Sequence, residues 1–444
     1  MANVKVSNLL ELGSGSLDPV ADFLLVSDAS AVLSKKIKPS EVIKGALATA
    51  APFWDFTTNA LNSAISFTRA SAGYRFNSAG LLVSEATDVP RFTYDPIALS
   101  PRGLLIEEAR TELYTYNTDF SQAVWGKTGC TVNSNAVTAP DGTLTADQVV
   151  EGTGTTTAIG QLASTFTSGV TYVHRIFAKA NTRNWIAVYW DPNRFGGTGF
   201  TYFDVTAGVV GSVSSGMTAF IRPVANGFYE CVVIGTCTST GAGNRSFWLA
   251  DSNGGRTYTG NGVSSLYIWG ASLQAGSSAT QHVATAAATV AASADIATIT
   301  NSLVLTDQCW VIRARTPRKL STGLNNYILQ VDDGTNSTRR ALYYFSGLIY
   351  LLVVSGNVTQ AMYSLGAVAV DTDFTVAVRF ANNNFAGSLN GGAIVTDLVG
   401  TNPVGMTTAR IGDAAGGGYA WNSTIKTIET RRTASDAELP LLAS

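Results

Sequence analysis

The sequence predicts a mainly β protein, in which two tandem β-sandwich (jelly-roll) domains follow a small N-terminal anchor and an extended β connector. Only 14% of the 444 residues are charged and 45% are hydrophobic, so neutral polar side chains must cover much of the surface. The 43 glycines separate short segments in which apolar and polar residues alternate, a pattern typical of strands joined by turns. A chain of this length has room for about three domains.

Composition also excludes several classes of function. The formal net charge of −2 provides no basic field for nucleic acid. No apolar run approaches the roughly 18 residues that a membrane-spanning helix needs, so we expect no membrane insertion. The N-terminus lacks a charged leader before an unbroken apolar core, so we expect no signal peptide. The four cysteines form no C-x-x-C pair, which predicts buried thiols instead of a zinc cage.

Residues 1–50 are predicted to form the anchor. A short strand with Leu24 and Val26 on one face comes first, and Pro39 and Gly45 then bracket one short helix. Proline is favoured in the first helical turn, and glycine is favoured beyond the last. The segment is too small to bury a good core alone. We therefore expect it to dock on a partner or on other copies of the chain.

Residues 51–113 are predicted to form the β connector. Trp54–Thr57 and residues 65–76 have the alternation of strands, and Asn77–Gly80 is a turn that leads into the apolar residues after it. The segment therefore consists of short strands and turns placed between the anchor and the first sandwich.

Residues 114–283 are predicted to form the first sandwich. Alternating strands are expected at Trp185–Trp190, Thr201–Val205 and Leu266–Trp269, with glycine-containing turns between them. Many short strands at this spacing favour a sandwich over an open sheet.

Aromatic residues on two of these strands are the best candidates for ligand binding. Ile186 and Val188 are expected to face the core, which leaves Trp185 and Tyr189 outward, and the same alternation places Tyr202 outward. Sugars stack their C–H faces on flat rings of this kind. The exposed aromatic surface has two interpretations: it binds a glycan, or it packs against another subunit or the connector.

Residues 284–300, rich in Ala, Thr and Ser, are predicted to be an extended linker. Residues 301–444 are predicted to form the second sandwich, with a strand at Cys309–Arg315 and a hairpin turn at Asn390–Gly391. Ser435 and Glu438 have the spacing of a capping box, which predicts a last short helix.

Four pieces of the connector, taken together and in order, resemble a connector of bacteriophage virion fibre and spike proteins. They are FTRAS at 67–71, NSAGLL at 77–82, PRFTYDP at 90–96 and PRGLLIEEAR at 101–110. Glu112 stands where that pattern has Asn. The strand and the KKI-x-PSE-x-I text within residues 1–50 also look like the N-terminal part of phage fibres, which implies that this segment holds the fibre on the particle.

The two sandwiches carry resemblances of their own. WGASLQAGSSAT at 269–280, followed by SADIATI, is similar to the jelly-roll carbohydrate-binding-type module of phage spikes and fibres. In its GWYR element, Phe228 and Glu230 stand where the pattern has Trp and Arg. The pieces SLNG, RIG, TIKTI and SDAEL, in order within residues 301–444, resemble the concanavalin A-like and laminin-G-like lectin sandwich.

These resemblances imply a virion fibre protein that is made in the host cytoplasm and exposed on the particle. Its partners would be other virion proteins through residues 1–50, two further copies in a homotrimer, and a host-surface glycan. The alternatives are a head fibre or decoration protein with a purely structural role, and a glycan depolymerase. The sequence predicts no enzyme and no cofactor, apart from the calcium considered below.

Residues suited to catalysis are few. The two histidines, His174 and His282, do not suggest a Ser-His-Asp triad, and His174 is expected on a strand surface. Glycoside hydrolysis needs two acids that face each other across a sugar. The adjacent Glu107–Glu108 pair would point to opposite faces of a strand, and the Asp371–Asp373 pair is expected on a turn.

One acidic turn could hold a metal. Asp332 and Asp333 begin the segment 332–338, whose carboxylate and carbonyl oxygens suit calcium. The rim of laminin-G-like sandwiches often carries such a site, and that resemblance is the reason to name it. The alternative is a plain hairpin turn.

Overall fold

The structure, a computed structural model, describes residues 24–27, 34–37, 53–161, 164–300, 308–320 and 324–444. The regular structure of these residues is almost entirely β, which confirms the predicted class. None of the helices within these ranges is long and apolar enough to cross a membrane. The helix expected between Pro39 and Gly45 lies outside the described residues.

The N-terminal part supplies nine strands from the described residues. These are β1 (Leu24–Ser27), β2 (Ser34–Ile37), β3 (Phe53–Asp55), β4 (Ser66–Thr68), β5 (Gly73–Phe76), β6 (Leu82–Glu85), β7 (Phe92–Tyr94), β8 (Pro101–Ile106) and β9 (Arg110–Glu112). A 3₁₀ turn at Phe56–Thr58 follows β3. Two hairpins stand out, β1 with β2 and β5 with β6. The second closes at the predicted turn, where Gly80 adopts a φ of 76° and its N–H donates to the Asn77 carbonyl.

The next part is a sandwich of two six-stranded sheets, which we call the insert sandwich. Its elements are β10 (Trp125–Thr128), β11 (Cys130–Val137), β12 (Ala146–Glu151), β13 (Ala158–Gln161), β14 (Ser164–Phe166), β15 (Thr171–Ala180), β16 (Trp185–Trp190), α1 (Pro192–Phe195), β17 (Phe200–Asp204), β18 (Val209–Val210), β19 (Met217–Pro223), a 3₁₀ turn (Ala225–Gly227), β20 (Tyr229–Thr236), β21 (Gly241–Gly243), β22 (Arg245–Ala250) and β23 (Ser265–Ala275). The sheet orders are β10-β13-β22-β16-β17-β18 and β11-β12-β23-β15-β20-β19, and β14 pairs with β21.

The last part contains β24 (Val290–Ala292), β25 (Ile296–Ile299), β26 (Cys309–Arg315), β27 (Asn326–Asp332), β28 (Arg339–Phe345), β29 (Leu348–Ser355), β30 (Val358–Ala367), β31 (Asp373–Arg379), β32 (Phe385–Leu389), β33 (Val395–Asp397), β34 (Thr408–Ile411), β35 (Ser423–Arg431) and α2 (Glu438–Leu442). The Ser435 N–H and hydroxyl both donate to the Glu438 carboxylate just before α2, as the capping-box spacing predicts.

Strands from distant parts of the chain build this second sandwich, which we call the composite sandwich. One sheet has the order β30-β29-β28-β27-β34-β25-β4, and the other has the order β33-β32-β31-β26-β35-β8-β7 with β3 also paired to β35. The segments expected to be a connector and a linker therefore supply β3, β4, β7, β8 and β25. The sequence-based division misses these pairings, because partners far apart in the chain leave no mark on local alternation.

The insert sandwich lies between two strands of a short neck. β9 enters it and β24 leaves it, and the two pair antiparallel with Glu112 opposite Val290. The chain thus begins the composite sandwich, builds the insert sandwich, and then returns to complete the composite sandwich. The two segments that connect the sandwiches therefore lie side by side in the neck.

Buried ion pairs join these parts. Arg91 donates to Glu107 at 2.7 Å and also contacts Asp295, which accepts from Arg69 at 3.2 Å. The other oxygen of Glu107 accepts from the Gln281 N–H at the end of the insert sandwich. Arg69, Arg91 and Glu107 belong to the sequence pieces that resemble phage fibre connectors, so the structure gives those pieces a physical role: they supply the charges that fasten the neck.

Candidate functional site

The two outer faces of the insert sandwich have different surroundings. The face of the sheet containing β15, β20 and β23 is covered by the rest of the chain, and we call it the docked face. Phe177 and Trp269 pack there against Phe76 and other residues of the β5–β6 hairpin, while Val232 packs beside Leu320 of the composite sandwich. Covered in this way, the middle of the docked face is withdrawn from solvent.

The opposite sheet carries a cluster of aromatic side chains on its outer face. The strand register places Ala187 of β16 between Trp248 of β22 and Tyr202 of β17, and places Tyr189 opposite Phe200. Trp185, two residues before Ala187 on the same strand, points to the same side. We call the surface formed by Trp185, Tyr189, Phe200, Tyr202 and Trp248 the aromatic face. Because the Ala187 side chain is small, the larger rings of Trp248 and Tyr202 flank it on either side.

Alternation along β16 explains this placement. Ile186, Val188 and Trp190 are fully buried in the core between the sheets, whereas Trp185 and Tyr189 are half-buried and point outward. The inward and outward assignment predicted from the sequence matches the structure. It follows from the period of two in a strand, since every second side chain shares a face.

The rings contact one another directly. The centroids of Tyr189 and Phe200 are 4.7 Å apart, and Phe200 meets Trp248 edge to face at 5.2 Å. The Trp248 indole N–H donates to the Ser246 hydroxyl at 2.7 Å, and its cross-strand neighbour on β13 is the small Ala158. Such offset and edge-to-face contacts stabilise a fixed arrangement of rings, so the aromatic face is preformed.

A loop after β22 covers one part of the cluster. The Arg256 guanidinium lies 4.2 Å from the Phe200 ring centroid and 5.5 Å from that of Trp248. The Tyr202 hydroxyl donates to the Gly254 carbonyl at 3.3 Å, and burial raises the Tyr202 pKa. Tyr202 points outward as predicted but is only 6% exposed. The prediction of an exposed ring is therefore wrong there, because this loop folds over it.

Tyr189, Trp248 and Trp185 form the accessible part of the aromatic face, and all three are half-buried. Burial and the nearby Asp191 carboxylate raise the Tyr189 pKa, so its hydroxyl stays protonated. Trp185 is the first residue of β16, between Asp204 and Ala250 on the neighbouring strands, and lies close to Gly211. The result is a surface of flat rings flanked by a guanidinium and by neutral hydroxyls.

Sequence reasoning missed Phe200, Trp248 and Arg256. The first two could have been found, since Phe200 is two residues before Tyr202, and Trp248 alternates with core residues Phe247 and Leu249. No pattern in the neighbouring sequence predicts the role of Arg256, because only the folded loop brings its side chain over the Phe200 and Trp248 rings.

The acidic turn named for calcium has other partners. Asp332 is fully buried, forms an ion pair with Arg410 at 2.9 Å, and accepts the Gly334 N–H. Asp333 is exposed and accepts from the N–H and hydroxyl of Thr335. The turn joins β27 to β28 as a plain hairpin, which is the alternative interpretation. No group of three acidic, histidine or cysteine side chains suited to a metal occurs in the described ranges.

The residues considered for catalysis also have structural partners. His174 is fully buried with its Nε2 2.7 Å from the Tyr114 hydroxyl, and burial together with Arg245 holds its pKa well below the usual value. The expectation of a surface imidazole is wrong, because His174 lies on the core side of β15. Asp371 and Asp373 both pair with Arg315.

Glu107 and Glu108 diverge as their adjacency predicts. Glu107 contacts Arg91, whereas Glu108 accepts from Asn422 at 3.0 Å and pairs with Arg110. The two carboxylates therefore do not face each other across a groove.

Comparison with known proteins finds weak structural likenesses. No family profile and no curated protein matches the chain. One similar structure is the CBM40 module of Ruminococcus gnavus IT-sialidase bound to α2,3-sialyllactose, with 19% identity over 32% of this chain and 85% of that one and a TM-score of 0.28. Domains LG4-5 of the mouse laminin α1 chain match at 9% identity over 62% of this chain and 84% of that one, with a TM-score of 0.21. At TM-scores this low, nothing about the binding site follows.

Proposed function

We propose that this chain is an adhesive virion fibre protein of a bacteriophage, and that its aromatic face binds a host-surface glycan. The observation that carries the proposal is the preformed cluster of Tyr189, Trp248 and Trp185 on the outer face, which the described residues leave half exposed. Flat rings accept the C–H faces of sugars, and nearby hydroxyls and a guanidinium supply hydrogen bonds to sugar oxygens.

The composition of the surface supports a binding role. Trp, Tyr and Arg are the residue types that dominate binding energy at interfaces. Here Trp248, Tyr189 and Arg256 lie together, with the Ser246 hydroxyl beside the indole. An exposed apolar patch rimmed by polar groups is typical of an interaction site.

Attachment to the particle is the second half of the proposal. Residues 1–50 resemble the N-terminal segments of phage fibres and would contact other virion proteins, and the complete fibre would be a homotrimer exposed on the particle. The resemblance of the connector pieces supports this assignment, since Arg69, Arg91 and Glu107 of those pieces fasten the neck in this chain. The proposed role is binding, without a catalytic step.

A glycan array with the full chain tests the adhesive role. We expect binding to a defined set of glycans, and we expect Trp248→Ala to weaken the best one by about tenfold or more, as loss of an interface tryptophan does. Tyr419→Ala is the matched control, because Tyr419 is a 37% exposed aromatic on the composite sandwich. Equal binding by both variants, or no binding to any glycan, would contradict the proposal.

The structural alternative is favoured by the same surface. A decoration protein without a ligand would bury the aromatic face between subunits, because large exposed rings also mark interfaces between copies. Light scattering on the full chain, beside a chain that begins at Phe53 and so keeps β3 and every later strand, locates the assembly. A trimer that becomes a monomer on truncation places assembly in the N-terminal segment and leaves the aromatic face free.

A trimer that persists in the truncated chain but dissociates with Trp248→Glu would instead assign the aromatic face to subunit contact. The depolymerase alternative is tested with any glycan that binds. We expect its chain length to stay constant on prolonged incubation, as measured by mass spectrometry.

A further inference from the structure

A cleft of about 260 Å³ opens where the connector strands, the insert sandwich and the composite sandwich meet. Its lining combines four arginines with neutral polar and apolar groups, and none of these residues belongs to the aromatic face. We call it the arginine cleft. The lining residues used below are Phe76, Ile97, Arg222, Arg318, Gln281 and Thr424.

Positive charge exceeds negative charge at one wall of the cleft. Arg222 donates to Glu230 at 2.5 Å, Arg318 donates to the same carboxylate at 2.8 Å, and Arg175 donates to it from behind at 3.2 Å. Glu230 is fully buried and is the carboxylate shared by these three guanidinium groups. Glu230 alone does not neutralise the three guanidinium groups that share it.

The other arginines of the cleft have carboxylates of their own. Arg102 pairs with Asp95, and Arg315 pairs with Asp371 at 2.6 Å. Asp371 also acts on Arg222 and Arg318, but it is shared with Arg315, so a partial excess of positive charge remains at Arg222 and Arg318. Burial and the neighbouring Arg318 lower the pKa of Arg222, whereas Glu230 and Asp371 raise the pKa of Arg318 in spite of its burial.

Two buried polar atoms of the lining have no hydrogen-bond partner among the described residues. They are Nη2 of Arg222 and the hydroxyl oxygen of Thr424, and Thr424 is only 6% exposed. Buried donors are rarely left without an acceptor. An anionic oxygen group in the cleft would accept from both a guanidinium and a hydroxyl.

The remaining lining suits an organic ring. The Arg222 guanidinium lies 5.1 Å from the Phe76 ring centroid, Ile97 stands at the mouth with 54% of its surface exposed, and Gln281 adds a neutral amide. A volume of 260 Å³ holds roughly eight to nine waters, which is the space of one sugar-sized ring and its substituents.

We propose that the arginine cleft binds a small ring-bearing organic carboxylate of the size of a single acidic sugar, with its carboxylate against Arg222 and Arg318. Guanidinium and carboxylate match in charge and in planar geometry, and such pairs gain strength where water is excluded. The ring would lie against Phe76 and Ile97. This site is separate from the aromatic face and does not depend on its role.

The test titrates the full chain with glucuronate, with glucose as the neutral analogue and with inorganic phosphate as the anion without a ring, and follows binding by calorimetry and ligand-observed NMR. We expect glucuronate to bind about tenfold or more tightly than either, since it alone satisfies the arginines and the apolar wall. Equal affinity for glucuronate and glucose, equal affinity for glucuronate and phosphate, or no binding would overturn the proposal.

Two kinds of variant separate binding from folding. Arg222→Gln removes a charged donor and should weaken glucuronate by about tenfold or more. Thr424→Val keeps the side-chain shape and removes only the hydroxyl that has no partner, so it should weaken glucuronate while the melting temperature stays equal or rises. Unchanged glucuronate affinity in Thr424→Val, with Arg222→Gln folded and binding normally, would contradict the proposed contacts.

Ile97 provides a variant at the mouth that cannot disturb the core. Ile97→Glu places a negative charge where the anion enters and should weaken glucuronate, whereas Ile97→Gln is the uncharged match and should retain most of the affinity. Equal affinity in these two variants would place the ligand outside the cleft. Trp248→Ala leaves glucuronate binding unchanged, so failure of this proposal and failure of the glycan proposal are distinguishable.

Discussion

The docked face and the aromatic face belong to the same sandwich and are built from the same kind of alternating strand, yet their roles diverge. The docked face carries Phe177 and Trp269 together with the buried charges of Arg175 and Glu230, and the rest of the chain covers it. The aromatic face has Arg256 and Asp191 beside its rings, and of the described residues only the loop after β22 lies over part of it. Both faces carry outward aromatic residues, so such residues alone do not identify a binding surface. The difference is the ion pair of Arg175 and Glu230, whose charged side chains lie on the face that the rest of the chain covers.

Chain topology explains why the described parts of the N-terminal segment and of the composite sandwich cover the docked face and not the aromatic face. β9 and β24 enter and leave the insert sandwich at one neck, and this places the β5–β6 hairpin and the segment with Arg318 against the same sheet. The opposite sheet points away from the neck. The comparison predicts large stability effects for changes on the docked face and small ones on the aromatic face.

The largest effect is expected for Glu230→Gln. This change leaves Arg175, Arg222 and Arg318 buried around a neutral amide, and breaking a buried ion pair from one side costs about 3–5 kcal/mol. Chemical denaturation followed by tryptophan fluorescence measures the loss. Asp373→Asn is the control: Asp373 also meets several cations, but its side chain is 42% exposed, so the cost should stay below about 1 kcal/mol. Similar losses of unfolding free energy in Glu230→Gln and Asp373→Asn would show that the buried charges of the docked face contribute no more stability than exposed ones.

A pH dependence follows from Glu112, which meets the docked sheet at Ser272, Leu273 and Gln274. Burial raises the pKa of its carboxyl from 4.5 to about 7 in the folded chain. The folded state therefore holds a proton that the unfolded state releases near pH 4.5. This contribution is complete below pH 4.5 and is lost as the pH rises to 7, by about 3 kcal/mol.

Unfolding free energies of the wild type and of Glu112→Gln across pH 4 to 8 test this dependence. The variant should lack the part of the slope that lies between the two pKa values of Glu112. Parallel curves for the two proteins would show that Glu112 titrates in the same way folded and unfolded.

The smallest effect is expected on the aromatic face itself. Arg256→Ala removes two cation–π contacts, one to Phe200 and one to Trp248, each worth about 0.5–1 kcal/mol at a partly exposed site. Thermal unfolding should therefore shift little, while the fluorescence of Trp248 should change as its ring becomes more exposed. A loss of unfolding free energy as large as that of Glu230→Gln would mean that the Arg256 loop is part of the hydrophobic core of the sandwich.

Local patterns predicted much of the fold. They gave the β class, the turn at Asn77–Gly80, and the inward and outward sides of β16, because these depend on neighbouring residues alone. They did not give the pairing of strands from 51–113 and 284–300 with the composite sandwich, since β8 pairs with β35 across most of the chain. Separation along the chain also explains why the sequence did not predict the ion pair of Asp332 with Arg410 or the contact of Arg256 with the Phe200 ring.

The most direct test of the central claim is hydroxyl-radical footprinting of the full chain with and without its best glycan. We expect Trp248, Tyr189 and Trp185 to be oxidised readily in the free protein and protected by the glycan, and we expect Trp269 and Phe177 to be protected in both samples. Protection of Trp248 and Tyr189 in the absence of glycan, at concentrations where the protein assembles, would contradict a free aromatic face and identify it as a contact between copies.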